Sequence, residues 1–258
     1  MQAIFEMAMN RLKSFLGFIM IILLWYGARE IFAIPSYILP GPMDVVNALV
    51  EMARSGQLFD SAVASLFRVT WGFYLAVATA VPLGLAMGRI WKVRQVLNPV
   101  IQFLRPISPL AWIPMALMWF GIGDKPAIFL IYLSAFFPMV VFTVSGVAGI
   151  KGTFLRVAEN FGLKGWQLYT KVILPAALPE IIVGLRITLG TAWLVIVAAE
   201  MIAVKSGLGY LIIDARNSLR MDKVVAGMLI IGVIGLVLDH LIRLLERLPW
   251  VEWSRMRR

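Results

Sequence analysis

Long apolar runs separated by short charged segments set the pattern of this chain. Each run is about 20 residues long, the length that a helix needs to cross the hydrocarbon core of a bilayer. Since backbone amides in hydrocarbon must be hydrogen-bonded within their own segment, each run is predicted to be a helix. The pattern therefore predicts an all-α membrane protein with about six transmembrane helices. The predicted spans are Ser14–Ala33, Val69–Gly88, Pro106–Gly123, Pro126–Ile150, Ile181–Val204 and Val224–Ile242.

Composition leads to the same interpretation. Hydrophobic residues make up 61% of the 258 residues and charged residues 15%, and the mean hydropathy is +0.87. Soluble domains average roughly 45–50% apolar and 25% charged residues. Residues 1–258 are therefore interpreted as one transmembrane domain. Arg11 and Lys13 precede the first apolar run as in a signal peptide, but no small-residue cleavage site follows, so this span is expected to be retained.

The distribution of Lys and Arg predicts the orientation of the spans. Short cytoplasmic loops carry an excess of these residues, and here the excess falls on the side of the N-terminus, so both termini are predicted to be cytoplasmic. The basic residues predicted on the outer side are Arg29, Arg54, Arg68, Lys125, Lys205, Arg216, Arg220 and Lys223. The formal charge of +10 forms no basic domain or repeated basic face, so nucleic-acid binding is not expected.

The segment between the fourth and fifth predicted spans, Lys151–Glu180, is the longest polar interruption on the predicted cytoplasmic side. Arg156–Phe161 is compatible with a helix, Gly162 is predicted to break it, and Gly165 to restart it. Two prolines are then predicted to bend the chain towards the next span: Pro175 and Pro179. The positions of these glycines and prolines predict a short cross-helix parallel to the membrane.

This loop resembles the cytoplasmic loop of the permease subunits of ATP-binding-cassette (ABC) importers. The family motif reads E-A-A, three residues, G, nine residues, I-x-L-P. Ala158, Gly162, Leu174 and Pro175 match it, Val157 and Val172 replace Ala and Ile, and Arg156 stands where the family has Glu. An ion pair made by that Glu is therefore not expected here. The resemblance implies a coupling loop at about 151–180 that contacts an ATPase through Arg156, Val157, Ala158, Glu159, Gly162, Leu163, Lys164, Gly165, Leu174 and Pro175.

Other segments are similar to the nitrate, sulfonate, taurine and bicarbonate branch of that family. They are Ile38–Pro42, Arg105–Gly123, Phe161–Gly165, Val172–Pro179 and Trp193–Gly209. The resemblance implies the type I ABC importer permease fold in a bacterial inner membrane, and import of a small anionic solute. It also implies partners: ABC ATPase subunits, a second permease copy in a homodimer, a periplasmic or lipid-anchored solute-binding protein, and membrane lipid.

No catalytic role is expected of the chain itself. It contains no G-x-x-x-x-G-K-[ST] motif, so ATP and Mg are expected on the partner ATPase and no cofactor on this chain. Cysteine is absent, which excludes thiolate nucleophiles and cysteine metal clusters. The single histidine, His240, has no neighbouring ligands in the sequence, so a metal site is not expected.

Four residues are candidates for the solute pathway. A charge at mid-bilayer costs about 2.5 kcal/mol or more, so Glu200 is expected to line the pathway, to order the outer loop or to pair with a basic residue of another span; the pair is favoured. Prolines free backbone carbonyls in the third span, where broken helices are tolerated beside a cavity or within protein. The other candidates lie there: Ser108, Trp112 and Trp119. Simple packing is the alternative for each.

The sequence favours an importer subunit over two other function classes. A secondary transporter without an ATPase partner also has apolar spans, but its alternating access commonly rests on inverted repeats, and none is visible here. A membrane-embedded enzyme needs a nucleophile or a metal set, and neither G-x-S-x-G nor H-E-x-x-H occurs.

Overall fold

The computed structural model describes residues 16–17, 19–20 and 22–246, and all regular structure in this part of the chain is helical. The helices are α1 (22–31), α2 (Pro42–Arg54), α3 (Gln57–Arg89), α4 (Trp91–Leu104), a 3₁₀ turn (Pro109–Trp112), α5 (Ile113–Phe120), α6 (Asp124–Ala148), α7 (Gly152–Asn160), α8 (Gly165–Leu168), a π-helical segment (Tyr169–Ile173), α9 (Leu174–Ala203), α10 (Leu208–Asn217) and α11 (Met221–Glu246).

Four helices of the described residues are long and apolar enough to cross a membrane. They are α3, α6, the continuous helix Gly165–Ala203 and Met221–Leu244 of α11. A fifth span results if α4 and the segment Pro109–Phe120, which are bent by 86° relative to each other, count as one. The all-α membrane fold is thereby confirmed, and the predicted first span lies partly outside the described residues.

Two predicted boundaries are corrected where a charge or a proline was expected to end a helix. The second span was predicted to begin after Arg68, but α3 starts at Gln57 and carries Arg68 within it, because two carboxylates pair with its buried guanidinium. Pro175 lies in the first turn of α9 and Pro179 inside that helix. The helix continues through both prolines, and the π-helical segment Tyr169–Ile173 ends just before the first of them.

The predicted third span is also corrected. Pro106–Gly123 is not one helix: α4 ends before it, at Leu104, and the chain turns sharply before α5, which has only 8 residues. Pro106, Pro109 and Pro114 deprive this stretch of three amide donors, so a regular helix cannot run through it.

Small residues let α3 approach α6 closely. They recur every fourth position on one face of α3: Gly72, Ala76, Ala80, Gly84 and Gly88. A Cβ added at Gly72 would lie 2.6 Å from Cγ2 of Ile131, and one added at Gly84 would lie 2.5 Å from Cβ of Thr143. Such stripes are a common means of packing helices in membranes, where close backbone contact replaces the hydrophobic driving force.

The chain forms two compact units. One comprises the described parts of Met1–Asp60 together with Leu211–Ile230, and its core contains Val45, Ala48 and Met52 of α2. The other comprises Ser61–Tyr210 and the described residues from Ile231 onwards. Its core joins α3, α4, α6, α7, α8, the π-helical segment and α9 through buried side chains that include Met87, Ile101, Met139, Val147, Ala158, Leu168, Ile173 and Ile181.

Candidate functional site

Gly162 follows α7 in a left-handed turn, at the point where the sequence predicted a break in the helix. Its φ is +72°, in a region that residues with a Cβ rarely adopt. The amide of Gly162 donates to the carbonyl of Glu159 (2.9 Å), and the amide of Leu163 donates to the carbonyl of Ala158 (3.0 Å). These two bonds form a Schellman motif, which satisfies the last carbonyls of α7 and fixes the direction in which the chain leaves it.

The chain then re-enters helix at Gly165, where φ is +53°. From there α8, the π-helical segment and α9 form one continuous helix of 39 residues. The hydroxyl of Thr170 donates to the carbonyl of Trp166 (3.0 Å). Pro175 is exposed, whereas its neighbour Leu174 is half-buried against the core. The loop therefore leads directly into a membrane-spanning helix.

The two sides of this loop differ sharply in exposure. Ala158 and Leu168 are 3% and 8% exposed and belong to the core of their unit. Phe161 and Trp166 are each 80% exposed, and Val157 is half-exposed. The loop thus has a buried base and an exposed aromatic edge.

The charged residues of the loop lie at its surface. Arg156 and Lys164 are exposed. Glu159 forms an ion pair with Arg89 at the end of α3, with 3.7 Å between Nη2 and Oε1. Exposed pairs of this kind contribute at most about 1 kcal/mol. Glu159, the acidic residue of α7, lies three residues after the position where the family motif has Glu.

The third-span candidates lie around the 3₁₀ turn. Ser108 immediately precedes it and is exposed, and Trp112 is half-buried at its end. The ring of Trp112 lies 6.4 Å from that of Trp119, which lies 5.9 Å from the ring of Phe129 on α6. The structure thus brings the two candidate tryptophans together, whereas the fourth candidate, Glu200, belongs to a different cluster.

Glu200 is completely buried and pairs with Arg68 of α3. Their side chains are 0% and 3% exposed, and 2.6 Å separates Oε1 of Glu200 from Nη1 of Arg68. Nε of Arg68 also donates to Oδ1 of Asp124, the first residue of α6 (2.7 Å). The favoured sequence interpretation of Glu200, a pair with a basic residue of another span, agrees with this contact. Its partner was missed because Arg68 was assigned to an outer loop.

The connection from α9 to α10 closes over this pair. Arg68 donates to the carbonyl and the hydroxyl of Ser206. The hydroxyl of Ser65 donates to Glu200 (2.8 Å) and accepts from the amide of Leu208 (2.9 Å). The amide of Gly209 donates to Oε2 of Glu200 (2.9 Å). We refer to Ser65, Arg68, Asp124, Glu200 and Ser206 together as the Arg68 cluster.

A second ion pair lies in the same unit. Nε of Arg186 on α9 donates to Oδ1 of Asp239 on α11, and Nε of Arg243 donates to the other oxygen of that carboxylate, both at 2.8 Å. Arg186 is about one-third exposed. The sequence placed Arg186 inside a span, and the pairing with Asp239 lowers the cost of a charge at that position.

The comparison with known families covers most of the structure just described. A family described as "Binding-protein-dependent transport system inner membrane component" matches residues 80–250, well over half of the chain. The chain belongs to this family. It is accordingly a permease subunit of a transport system and a multi-pass protein of the inner membrane, and it is not itself catalytic.

Individual relatives of this permease are similar over most of their length. A putative ABC transporter permease protein of Methanocaldococcus jannaschii is 44% identical, with 85% of this chain and 84% of that protein covered. The taurine transport system permease protein of Escherichia coli is 38% identical over 88% and 85% of the two chains. The bicarbonate transport system permease protein of Synechococcus elongatus is 37% identical over 75% and 69%.

A solved structure shares the fold. A chain of the MetNI methionine ABC transporter, in inward-facing conformations, matches with a TM-score of 0.59 and 19% identity, over 74% of this permease and 97% of that chain.

Proposed function

We propose that this permease imports a small solute at the expense of ATP hydrolysed by a partner ATPase, and that loop 151–180 couples the two. ATP and Mg bind to the partner. A second copy of the permease completes the membrane path, within membrane lipid, and a periplasmic or lipid-anchored binding protein delivers the solute.

One observation carries the coupling proposal: the exposed aromatic edge of the loop stands on a base that is packed into the core. Phe161 and Trp166 offer a partner a large apolar contact area, while Ala158 and Leu168 tie the loop to the spans. Close-packed interiors deform little, so a displaced loop moves the helices against which it packs. A partner that pushes on this edge therefore moves α9.

The length of the helix that follows supports a position of this loop outside the hydrocarbon core. At 1.5 Å per residue, the 39 residues of Gly165–Ala203 extend about 58 Å if straight, whereas the hydrocarbon core is about 30 Å thick. The Gly165 end therefore extends well beyond the core when Ala203 lies at the opposite face. Together with the Lys and Arg distribution, this supports cytoplasmic termini and a cytoplasmic loop.

The solute is assigned to the class of small molecules that are, or that carry, a compact oxyanion group. The relatives named for taurine and bicarbonate support sulfonates and bicarbonate, and nitrate belongs to the same chemical class. The net charge of the chain adds nothing to this assignment, since most of the excess lies on the predicted cytoplasmic side, where it reports topology.

Purification from the native membrane tests the ATPase partnership. An ATPase is expected to co-purify with the permease, and the reconstituted complex with its binding protein is expected to take up labelled taurine, a longer sulfonate, bicarbonate or nitrate only when ATP is supplied. Uptake by the permease alone in ATP-free liposomes would instead establish a secondary transporter.

Substitution of Gly162 tests the coupling loop. Gly162→Val places a β-branched residue at a φ of +72°, which strains the turn and displaces the aromatic edge. We expect ATP hydrolysis in the assembled complex to persist while uptake per ATP falls about tenfold or more.

Gly56→Val is the matched control for that substitution. Gly56 has a φ of +77°, and both glycines have open space where a Cβ would stand, so the local backbone strain is comparable. Gly56 lies between α2 and α3, outside the loop. Uptake per ATP that falls equally in both variants, or in neither, would contradict the coupling assignment.

A further inference from the structure

The helix that leaves the coupling loop ends in the Arg68 cluster. It begins at Gly165 and ends at Ala203, three residues beyond Glu200. A movement imposed at one end of this helix is therefore delivered to the cluster at the other.

The Arg68 cluster joins α3, α6, α9 and the connection to α10 at that end of the helix. Arg68 comes from α3, Asp124 is the first residue of α6, Glu200 belongs to α9, and Ser206 belongs to the connection to α10. A single guanidinium donates to all three partners. Hydrogen bonds that connect these groups are buried or partly buried, where a lost partner is costly.

The connection also fits around the carboxylate of Glu200. Gly207 has a φ of +103°, and a Cβ on it would overlap the carboxylate of Glu200. A Cβ on Gly209 would overlap the carbonyl oxygen of Val197 and lie 2.8 Å from Cβ of Glu200. The backbone of residues 207–209 therefore approaches Glu200 as closely as only glycine permits.

Separating this pair during transport would leave the buried carboxylate of Glu200 without its cation, and the buried guanidinium of Arg68 with only the half-exposed Asp124 as an anionic partner. Breaking a buried ion pair by removing one partner is strongly destabilising, because the other charge stays desolvated. A transport cycle that left the cluster intact would avoid this cost.

We propose that Arg68 and Glu200 are positioning residues for transport: they make the adjoining ends of α3, α6 and α9 and the connection 204–209 move as one body. The coupling loop drives one end of α9, and the cluster passes that displacement to α3 and α6. This inference rests on the proposed ATP-driven function, since it concerns how a movement at the loop reaches the far ends of the spans.

A double variant distinguishes a role of Arg68 and Glu200 in transport from a role in the stability of the protein. Arg68→Met alone leaves Glu200 buried without its cation, so less protein should reach the membrane. Arg68→Met with Glu200→Met removes both charges and should restore that amount, because replacing a whole buried pair by apolar residues is often tolerated. Uptake per ATP in the assembled complex should remain about tenfold or more below wild type.

The control for the double variant is Arg54→Met, which removes an exposed basic residue of α2. It should leave both the amount of protein and the uptake per ATP unchanged. Recovery of uptake per ATP in the double variant to the level of this control would overturn the inference. Wild-type protein that shows no ATP-dependent uptake would instead refute the proposed function, so the two failures are distinguishable.

A distance measurement tests the same inference with the cluster intact, and it decides if the double variant does not reach the membrane. The chain has no cysteine, so spin labels can be placed in pairs at Val63→Cys, Lys125→Cys and Lys205→Cys, all exposed positions outside the cluster. Complexes are assembled with an excess of unlabelled permease, so that each complex contains at most one labelled copy and each measured distance lies within that copy. Each of the three distances should have the same value in the ATP-free complex as in the ATP-trapped complex. A change in any one of them between the two states would overturn the one-body proposal.

Discussion

Glu51 on α2 is a half-exposed carboxylate that the fold places between two basic side chains. Its carboxylate lies 2.7 Å from Arg220 and 2.7 Å from Lys223, and hydrogen bonds from Arg220 and then Lys223 lower the pKa of Glu51 from its ordinary value of 4.5. A carboxyl whose pKa is lowered in the folded state stabilises that state above its unfolded pKa, and this contribution disappears as the pH falls through the folded value.

We therefore expect the thermal midpoint of the solubilised protein to fall on acidification below about pH 4.5, and to fall less in Glu51→Gln, which has no such carboxylate to protonate. Glu30→Gln, at an exposed position, controls for the loss of one acidic group. Midpoints of wild type and Glu51→Gln that decline in parallel would show that these ion pairs contribute nothing to stability.

Sequence reasoning at this scale identified Glu200 but not its partner. Ser65 and Arg68 are three residues apart on one face of a helix, and Ser206, Gly207 and Gly209 follow Glu200 closely, which is the local signal of the cluster. These two parts of the cluster are more than a hundred residues apart in the sequence. They meet because of the way in which α3 packs against α6 and α9, and no local pattern contains that information. Ser108, Trp112 and Trp119 stay predictions for the pathway.

Among the elements, α3 offers the clearest test of helix packing. Gly84→Val would place a Cβ 2.5 Å from Cβ of Thr143 on α6. A Cβ added at Gly190 on α9 would stand in open space. Overpacking of a close contact typically costs about 1–3 kcal/mol. We expect Gly84→Val to lower the thermal midpoint and the amount of protein in the membrane, and Gly190→Val to change both much less; equal effects would argue against close α3–α6 packing.

The element that the sequence predicted most closely is α6, whose apolar run contains no charged residue but is flanked by Lys125 and Lys151. The run that predicted Pro126–Ile150 corresponds closely to α6, Asp124–Ala148. The start of α3 was missed because a charge was expected to face water, and α4 was missed because Lys92, Arg94 and Asn98 interrupt its apolar pattern. In both cases the local composition argues against a membrane span, so the helix cannot be predicted without the tertiary contacts that its charged residues make or the place that it takes in the fold.

At the scale of the whole molecule, the topology connects every functional assignment, because the coupling loop and the Arg68 cluster must lie on opposite sides of the membrane. The helix Gly165–Ala203 separates them, and Lys164 and Lys205 flank it as exposed residues. Since the chain contains no cysteine, Lys164→Cys and Lys205→Cys each carry a single reactive thiol. Both variants should reach the membrane in wild-type amounts before they are labelled.

We expect a membrane-impermeant maleimide to label Lys205→Cys in right-side-out vesicles and Lys164→Cys only in inverted vesicles, since the excess of Lys and Arg predicts a cytoplasmic loop. Labelling of both thiols from one side would mean that Gly165–Ala203 does not cross the bilayer. Labelling of Lys164→Cys in right-side-out vesicles, and of Lys205→Cys only in inverted vesicles, would place the aromatic edge of Phe161 and Trp166 outside the cell. No ATP-hydrolysing partner can reach it there. Either result would remove the physical route by which ATP hydrolysis moves α9, and with it the proposed coupling.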